Sequence, residues 1–158
     1  MINFNCKLFD FISYLKILFS FILKLIALFD NSHSSEISRV IFACNNHYDK
    51  KIISEFEIKM LIIHFNFELI CYKLLFKYLG LKKIFFYGYS KSLVQAAIDL
   101  NIPCYEFQHG DISETTVCYI YPDSVNNIVS PNILFTYSEI WTHNKNIPYQ
   151  CIPVGSVN

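Results

Sequence analysis

The chain has 158 residues, of which 53% are hydrophobic and 16% charged, a length that suits one domain burying roughly 70% of its unfolded surface. This composition excludes an intrinsically disordered chain, whose apolar content is too low to form a core. Lysine plus arginine and aspartate plus glutamate both number 13, so no global positive field draws nucleic acid by counterion release, and no nucleic-acid partner is expected.

Residues 7 to 29 form the most hydrophobic segment. On a 100° wheel Leu8, Phe11, Ile12, Leu15, Leu18, Phe19, Ile22 and Ile26 share one face, and Asp10, Ser13, Ser20 and Lys24 group opposite, which predicts an amphipathic helix within residues 1–30. Lys16 and Lys24 interrupt the roughly 20-residue apolar run that a spanning helix needs. No small-residue cleavage site of a signal peptide follows. Two roles stay open: lying on the inner-membrane surface with lysines toward anionic lipid, or packing as a core or docking helix.

Asp30 to Ser35 is a polar break rich in turn formers. Arg39 to Cys44 then reads as a short buried strand ending at Asn45-Asn46-His47, so Asn46 and His47 are candidate binding residues at a strand end. From Ser54 to Leu79 the apolar positions Phe56, Met60, Ile63, Phe67, Ile70, Leu74 and Tyr78 step by three or four, predicting a long helix with Ser54 and Glu57 as a capping box and Gly80 as the stop. His64 falls on its surface.

Ile84 to Tyr87 reads as a strand, followed by Gly88-Tyr89-Ser90 and a helix to Leu100 packed through Leu93, Ala96, Ala97 and Leu100, with Ser90 or Ser92 as cap. Gly88 and Ser90 at this βα turn are candidates for an anion or substrate contact, although one glycine is not a nucleotide fingerprint and an ordinary turn is the favoured reading. Cys104 to Phe107 is the next strand. It gives a βαβ unit with parallel strands and a right-handed crossover.

The strand ends in Gln108-His109-Gly110. The imidazole of His109 suits base catalysis or a substrate hydrogen bond near neutral pH, Gln108 can orient hydroxyls, and Gly110 permits close backbone approach. Glu106 and Phe107 should face opposite sides of the sheet. Val117 to Tyr121 is apolar, residues 122–127 are loop, Asn132 to Tyr137 is a strand, Ser138 to Trp141 starts a short helix, and Tyr149 to Gly155 is extended. The six cysteines, Cys6, Cys44, Cys71, Cys104, Cys118 and Cys151, lack metal-ligand spacing and read as reduced, mostly buried thiols of a cytosolic protein. Neither a metal nor a cofactor is expected, a site from Cys104, His109 and Cys118 having no zinc-finger spacing.

Several of these residues recur in order in a known family. Ala96-Ala97, Asn101-Ile102-Pro103, Glu106-Phe107-Gln108-His109-Gly110, Ile112, Tyr119, Tyr121-Pro122, Pro131, Leu134-Phe135-Thr136, Glu139, Trp141 and Ile152-Pro153-Val154-Gly155-Ser156 resemble bacterial capsule and surface-polysaccharide glycosyltransferases of GT-B type. The resemblance covers residues 80–158. It departs at Thr116 and Cys118, where the family pattern tends to place histidine and glycine, and at Ser138, where it places glycine.

The resemblance implies an α/β fold, a Rossmann-like mostly parallel sheet with flanking helices over residues 37–137, and the start of an interdomain segment at 138–158. It implies a saccharide acceptor and a nucleotide-sugar donor as substrates, with the donor held by a second, C-terminal domain missing from this chain. On that expectation the chain is one domain of two, the acceptor-side half, truncated and inactive alone. It would be cytoplasmic, or peripheral on the inner membrane if residues 7–29 lie on lipid. The alternative is a non-catalytic protein of binding or assembly at that membrane surface.

Overall fold

A computed structural model of the chain describes residues 7–30, 32, 34–48, 53–88, 90–108, 110, 112, 128–141, 147 and 150–155. They form helices α1 (Lys7–Phe29), α2 (Ser34–Tyr48) and α3 (Glu55–Leu79), strand β1 (Ile84–Tyr87), helix α4 (Lys91–Asp99) and strands β2 (Cys104–Phe107), β3 (Ile133–Thr136) and β4 (Gln150–Pro153). A 3₁₀ turn, Glu139–Trp141, lies between the last two strands. The chain divides into two compact units, Met1–Glu68 and Leu69–Asn158.

In the first unit α1 packs on α3. Leu23 and Ala27 bury against Ile63, with Met60 and Phe67 around them, and the Phe19 and Phe67 rings sit 6.0 Å apart. Lys16 pairs with Glu68 at 2.6 Å. The packed stripe is therefore only partly the expected one: Ile12 is buried as expected, but Leu18, Phe19, Ile22 and Ile26 are exposed, and Leu23 and Ala27 are buried in their place. From Tyr14 to Phe29 only Lys16, Ser20 and Lys24 are strongly polar, so the helix is apolar almost all round and periodicity does not select a face. The ion pair from Lys16 lies on the same side as the buried Leu23 and Ala27, two and three turns further on.

The expected strand at Arg39 to Cys44 is instead the middle of α2. A short apolar run reads equally as strand or helix, and here Ile37 is buried with Ile41, Cys44 and Asn45 half-buried, which is helical spacing. Ser32 N–H bonds the Asp30 carboxylate at 2.8 Å, making the break between α1 and α2 a tight Asx turn. The start of α3 is as expected. Ser54 N–H donates to Glu57 Oε2 at 2.7 Å while Glu57 N–H donates to Ser54 Oγ at 3.3 Å, a reciprocal capping box.

In the second unit the end of α3 is closed by Gly80 at φ +59, with Gly80 N–H to Lys77 C=O and Leu81 N–H to Phe76 C=O both at 3.2 Å. Here Tyr72 and Phe76 are buried, and Ile70, Leu74 and Tyr78, expected inside, are exposed. A 100° step sets those two groups on opposite sides of the helix, and the buried side is the aromatic one, with the Tyr72 and Phe76 rings 5.8 Å apart. Lys73 of α3 pairs with Asp99 of α4, and this bond together with Gln95 holds the Asp99 carboxyl below its ordinary range.

The four strands form one parallel sheet in the order β1-β2-β3-β4, with α4 against β2. Helix α4 buries Ser92, Leu93, Val94, Ala96 and Ala97. One sheet face carries Ile84, Phe86, Cys104, Glu106, Leu134 and Thr136, all buried. Leu134 is covered by Ile112, with Trp141, Ile147 and Cys151 beside it. The opposite face is an aromatic ladder, Phe85 stacked on Tyr105 at 4.8 Å and Phe107 tilted on Phe135 at 5.1 Å. Asn132 fastens the start of β3 to β2 by accepting from Cys104 N–H at 2.7 Å and donating to Cys104 C=O at 2.9 Å.

Candidate functional site

Parallel pairing in register sets the carboxyl ends of the strands along one edge. Tyr87 pairs with Phe107, Phe107 with Phe135 and Phe135 with Ile152. The segments leaving β1, β2 and β3 are therefore neighbours: Gly88 and Ser90, then Gln108 and Gly110, then Tyr137 and Ser138. The strand order runs without reversal through the described sheet. Ligands in open α/β sheets bind outside the carboxyl ends, so the candidate site is this edge.

Gly88 sits at φ +108, a conformation that a side chain would strain. It leads into Ser90, extended at φ −138 and ψ 99, which caps α4 by accepting from Leu93 N–H at 3.3 Å. The Ser90 hydroxyl also lies 3.3 Å from Ser92 Oγ, and Lys91 donates to the Val129 carbonyl. These contacts commit the Ser90 side chain to the helix start.

Gln108 is built into the fold more deeply. Its backbone N–H continues the ladder to Phe135 C=O at 2.8 Å. Its side chain, 1% exposed, donates from Nε2 to Gly110 C=O at 2.7 Å and accepts Tyr137 N–H at Oε1, 3.0 Å away. The carboxamide thus clasps the turn after β2 to the end of β3. His109, the candidate base, lies outside the described residues. Glu106 is 3% exposed on the buried face of β2, opposite to the Phe107 ring, so the expected alternation of the two holds.

Asn46 and His47 are not at a strand end. They belong to the last turn of α2, in the first unit, because the segment before them is helical. The His47 side chain is outside the described residues. Asn46 is exposed and lines a cavity of about 430 Å³ with Ser38, Phe42, Asn45, Ser54 and Glu55. The edge thus brings together Gly88, Ser90, Gln108 and Gly110 of the expected residues.

Because the Ser90 hydroxyl and the Gln108 amide are engaged within the fold, what the described edge presents is backbone, with open space where a Cβ would stand at Gly88 and Gly110. Among the described residues, no group of three or more His, Cys, Asp or Glu side chains is placed to hold a metal ion. Thr136, which the sequence offers only as part of the Leu134-Phe135-Thr136 run and not as a site residue, is fully buried at the end of β3. Its signal was a hydroxyl closing an otherwise apolar strand, Ile133-Leu134-Phe135-Thr136. Comparison with known protein families, with curated proteins and with solved structures finds no match to this chain.

Proposed function

We propose that the chain is the acceptor-side domain of a sugar transferase of GT-B type, working in surface-polysaccharide synthesis with a nucleotide-sugar donor held by a partner domain. The observation that carries this reading is the Gln108-His109-Gly110 turn leaving the carboxyl end of β2, its flanks clasped to β3 through the Gln108 amide. The acceptor saccharide's hydroxyl oxygen attacks the anomeric carbon of the donor, and the bond from that carbon to the nucleotide phosphate breaks with the phosphate keeping the electron pair. His109 takes the hydroxyl proton, or holds the hydroxyl by a hydrogen bond. Gly88 and Gly110 leave room for the sugar to approach the backbone.

The test is titration of the full chain with oligosaccharides from a bacterial surface polysaccharide, read by calorimetry, beside His109→Ala. Saccharide binding that the variant loses, with no turnover of nucleotide sugar by the chain alone, is the expected result. Binding of no saccharide, or nucleotide-sugar hydrolysis unaffected by the variant, would sink the reading.

A second reading, a non-catalytic protein of binding or assembly at an anionic membrane surface, draws on α1. Tyr14, Ile17, Leu18, Phe21, Ile22, Leu25, Leu28 and Phe29 are exposed on the side of α1 away from Leu23 and Ala27, with Lys24 exposed at the margin. Eight large apolar side chains exposed along one side of a helix make a contiguous patch, unlike the singly scattered apolar residues ordinary on a monomer's surface. Among the described residues, no helix is long and apolar enough to cross a membrane. Flotation with phosphatidylglycerol vesicles, lost on Phe21→Glu and on removal of residues 1–30, is expected if α1 lies on lipid. Equal flotation of all three proteins would remove this reading.

A further inference from the structure

Asn46, a binding candidate in the sequence, borders a cavity of about 430 Å³ in the first unit, between one side of α2 and the start of α3. That volume lies within the roughly 300–1,000 Å³ of small-molecule sites. Ser38, Phe42 and Asn46 follow one another at steps of four along α2 and make the exposed rim, so an aromatic ring stands between a hydroxyl and a carboxamide, about 6 Å of helix rise from each. Phe42 is 69% exposed, so the chain itself leaves most of that ring uncovered. The half-buried Ile41, Asn45 and Ile53 make the floor.

The charges around the cavity select the class of ligand. A helix N-terminus attracts anions, but at the start of α3 the Glu57 carboxylate already takes Ser54 N–H at 2.7 Å, and Glu55 adds a second negative charge to the wall. The last turn of α2 presents the negative end of its own helix. An anion is therefore disfavoured. A cation finds Glu55 already paired with Lys59 at 2.8 Å. The Ser54 hydroxyl is committed to the capping box, so hydrogen bonding falls to Ser38 and Asn46 and apolar contact to Phe42, Ile41 and Ile53. We infer that the cavity binds one neutral sugar ring, its C–H face on Phe42 and its hydroxyls on Ser38 and Asn46. A carboxamide donates to one hydroxyl and accepts from another, which suits a polyol. The inference does not rest on the sugar-transferase reading, since none of these residues belongs to the carboxyl edge.

The experiment is titration of the full isotope-labelled chain with methyl glucoside, glucosamine and glucuronate, followed by NMR on the backbone amides of α2 and the side-chain amides of Asn45 and Asn46. Methyl glucoside is expected to shift these signals saturably and to bind more tightly than either charged sugar. Phe42→Ala should weaken its binding by about two- to tenfold, and Asn46→Ala by about the same factor. Both side chains are exposed, so both variants fold as the parent chain does. His109→Ala should leave the shifts as they are, which separates this site from the sugar-transferase reading: failure of that reading leaves these shifts in place. No saturable shift with methyl glucoside, tighter binding of glucosamine or glucuronate, or an affinity unchanged in Phe42→Ala overturns the inference.

Discussion

Replacing Gln108 by leucine tests whether the clasp on the candidate edge is structural. The side chain is 1% exposed and makes two bonds, to Gly110 C=O at 2.7 Å and from Tyr137 N–H at 3.0 Å. Leucine fills a similar volume but leaves both backbone groups without that partner. An orphaned buried group costs about 1–3 kcal/mol, and since Gly110 and Tyr137 are half-buried, water recovers part of it, so the expected loss is about 2–4 kcal/mol. Urea denaturation followed by Trp141 fluorescence measures it. Gln108→Glu adds a sign. The introduced carboxyl, buried where the amide was and facing the Gly110 carbonyl, titrates higher in the folded chain than its unfolded value of about 4.3. Its protonated form can donate to Gly110 as the amide did, so the variant approaches the parent chain below about pH 4.3 and falls behind as pH rises through the folded value. A leucine variant within about 0.5 kcal/mol of the parent chain, or a glutamate variant whose deficit does not change with pH, would refute the clasp.

His64 gives a second pH effect. Burial, then Lys16, lowers its pKa from 6.5, against an opposing pull from Glu68, and its Nε2 is buried without a partner. The unfolded chain takes the proton first, so stability is complete above about pH 6.5 and is lost as pH falls through the lower folded value. His64→Gln should flatten that limb in a series of urea midpoints against pH. Burial pushes the Cys104 thiol up to about 11, leaving about one thiolate in a thousand at pH 8. Native-state alkylation read by mass spectrometry should therefore label the half-buried Cys44 well before Cys104. Ser90→Ala should cost about 1 kcal/mol through loss of the α4 cap; a loss under about 0.3 kcal/mol would show that Leu93 N–H gains nothing from Ser90. Glu68→Gln, breaking a partly exposed ion pair, should cost under about 1 kcal/mol and less at high salt.

Local signals in the residues determined much of the fold. Ser54 with Glu57, and Gly80 after Leu79, bound α3 because capping depends on side chains within one turn. Strands β1 to β4 and the Ser90 cap were legible for the same reason, as short apolar runs bounded by Gly, Pro and Asn. So was the neighbourhood of Gly88, Ser90, Gln108 and Gly110, since parallel strands must share a carboxyl edge. Tertiary structure decided what depends on partners. Arg39 to Cys44 is apolar enough for a strand or a helix, and its place in α2 makes Asn46 and His47 the end of a helix in the first unit rather than of a strand. The buried faces of α1 and of the last turns of α3 were set by contacts, because helices apolar on several sides carry no preferred stripe. The work of Gln108 could not be read along the chain either. Tyr137 lies 29 residues from Gln108 in sequence. A hydrogen-bond ledger closes only when the strands have been laid side by side.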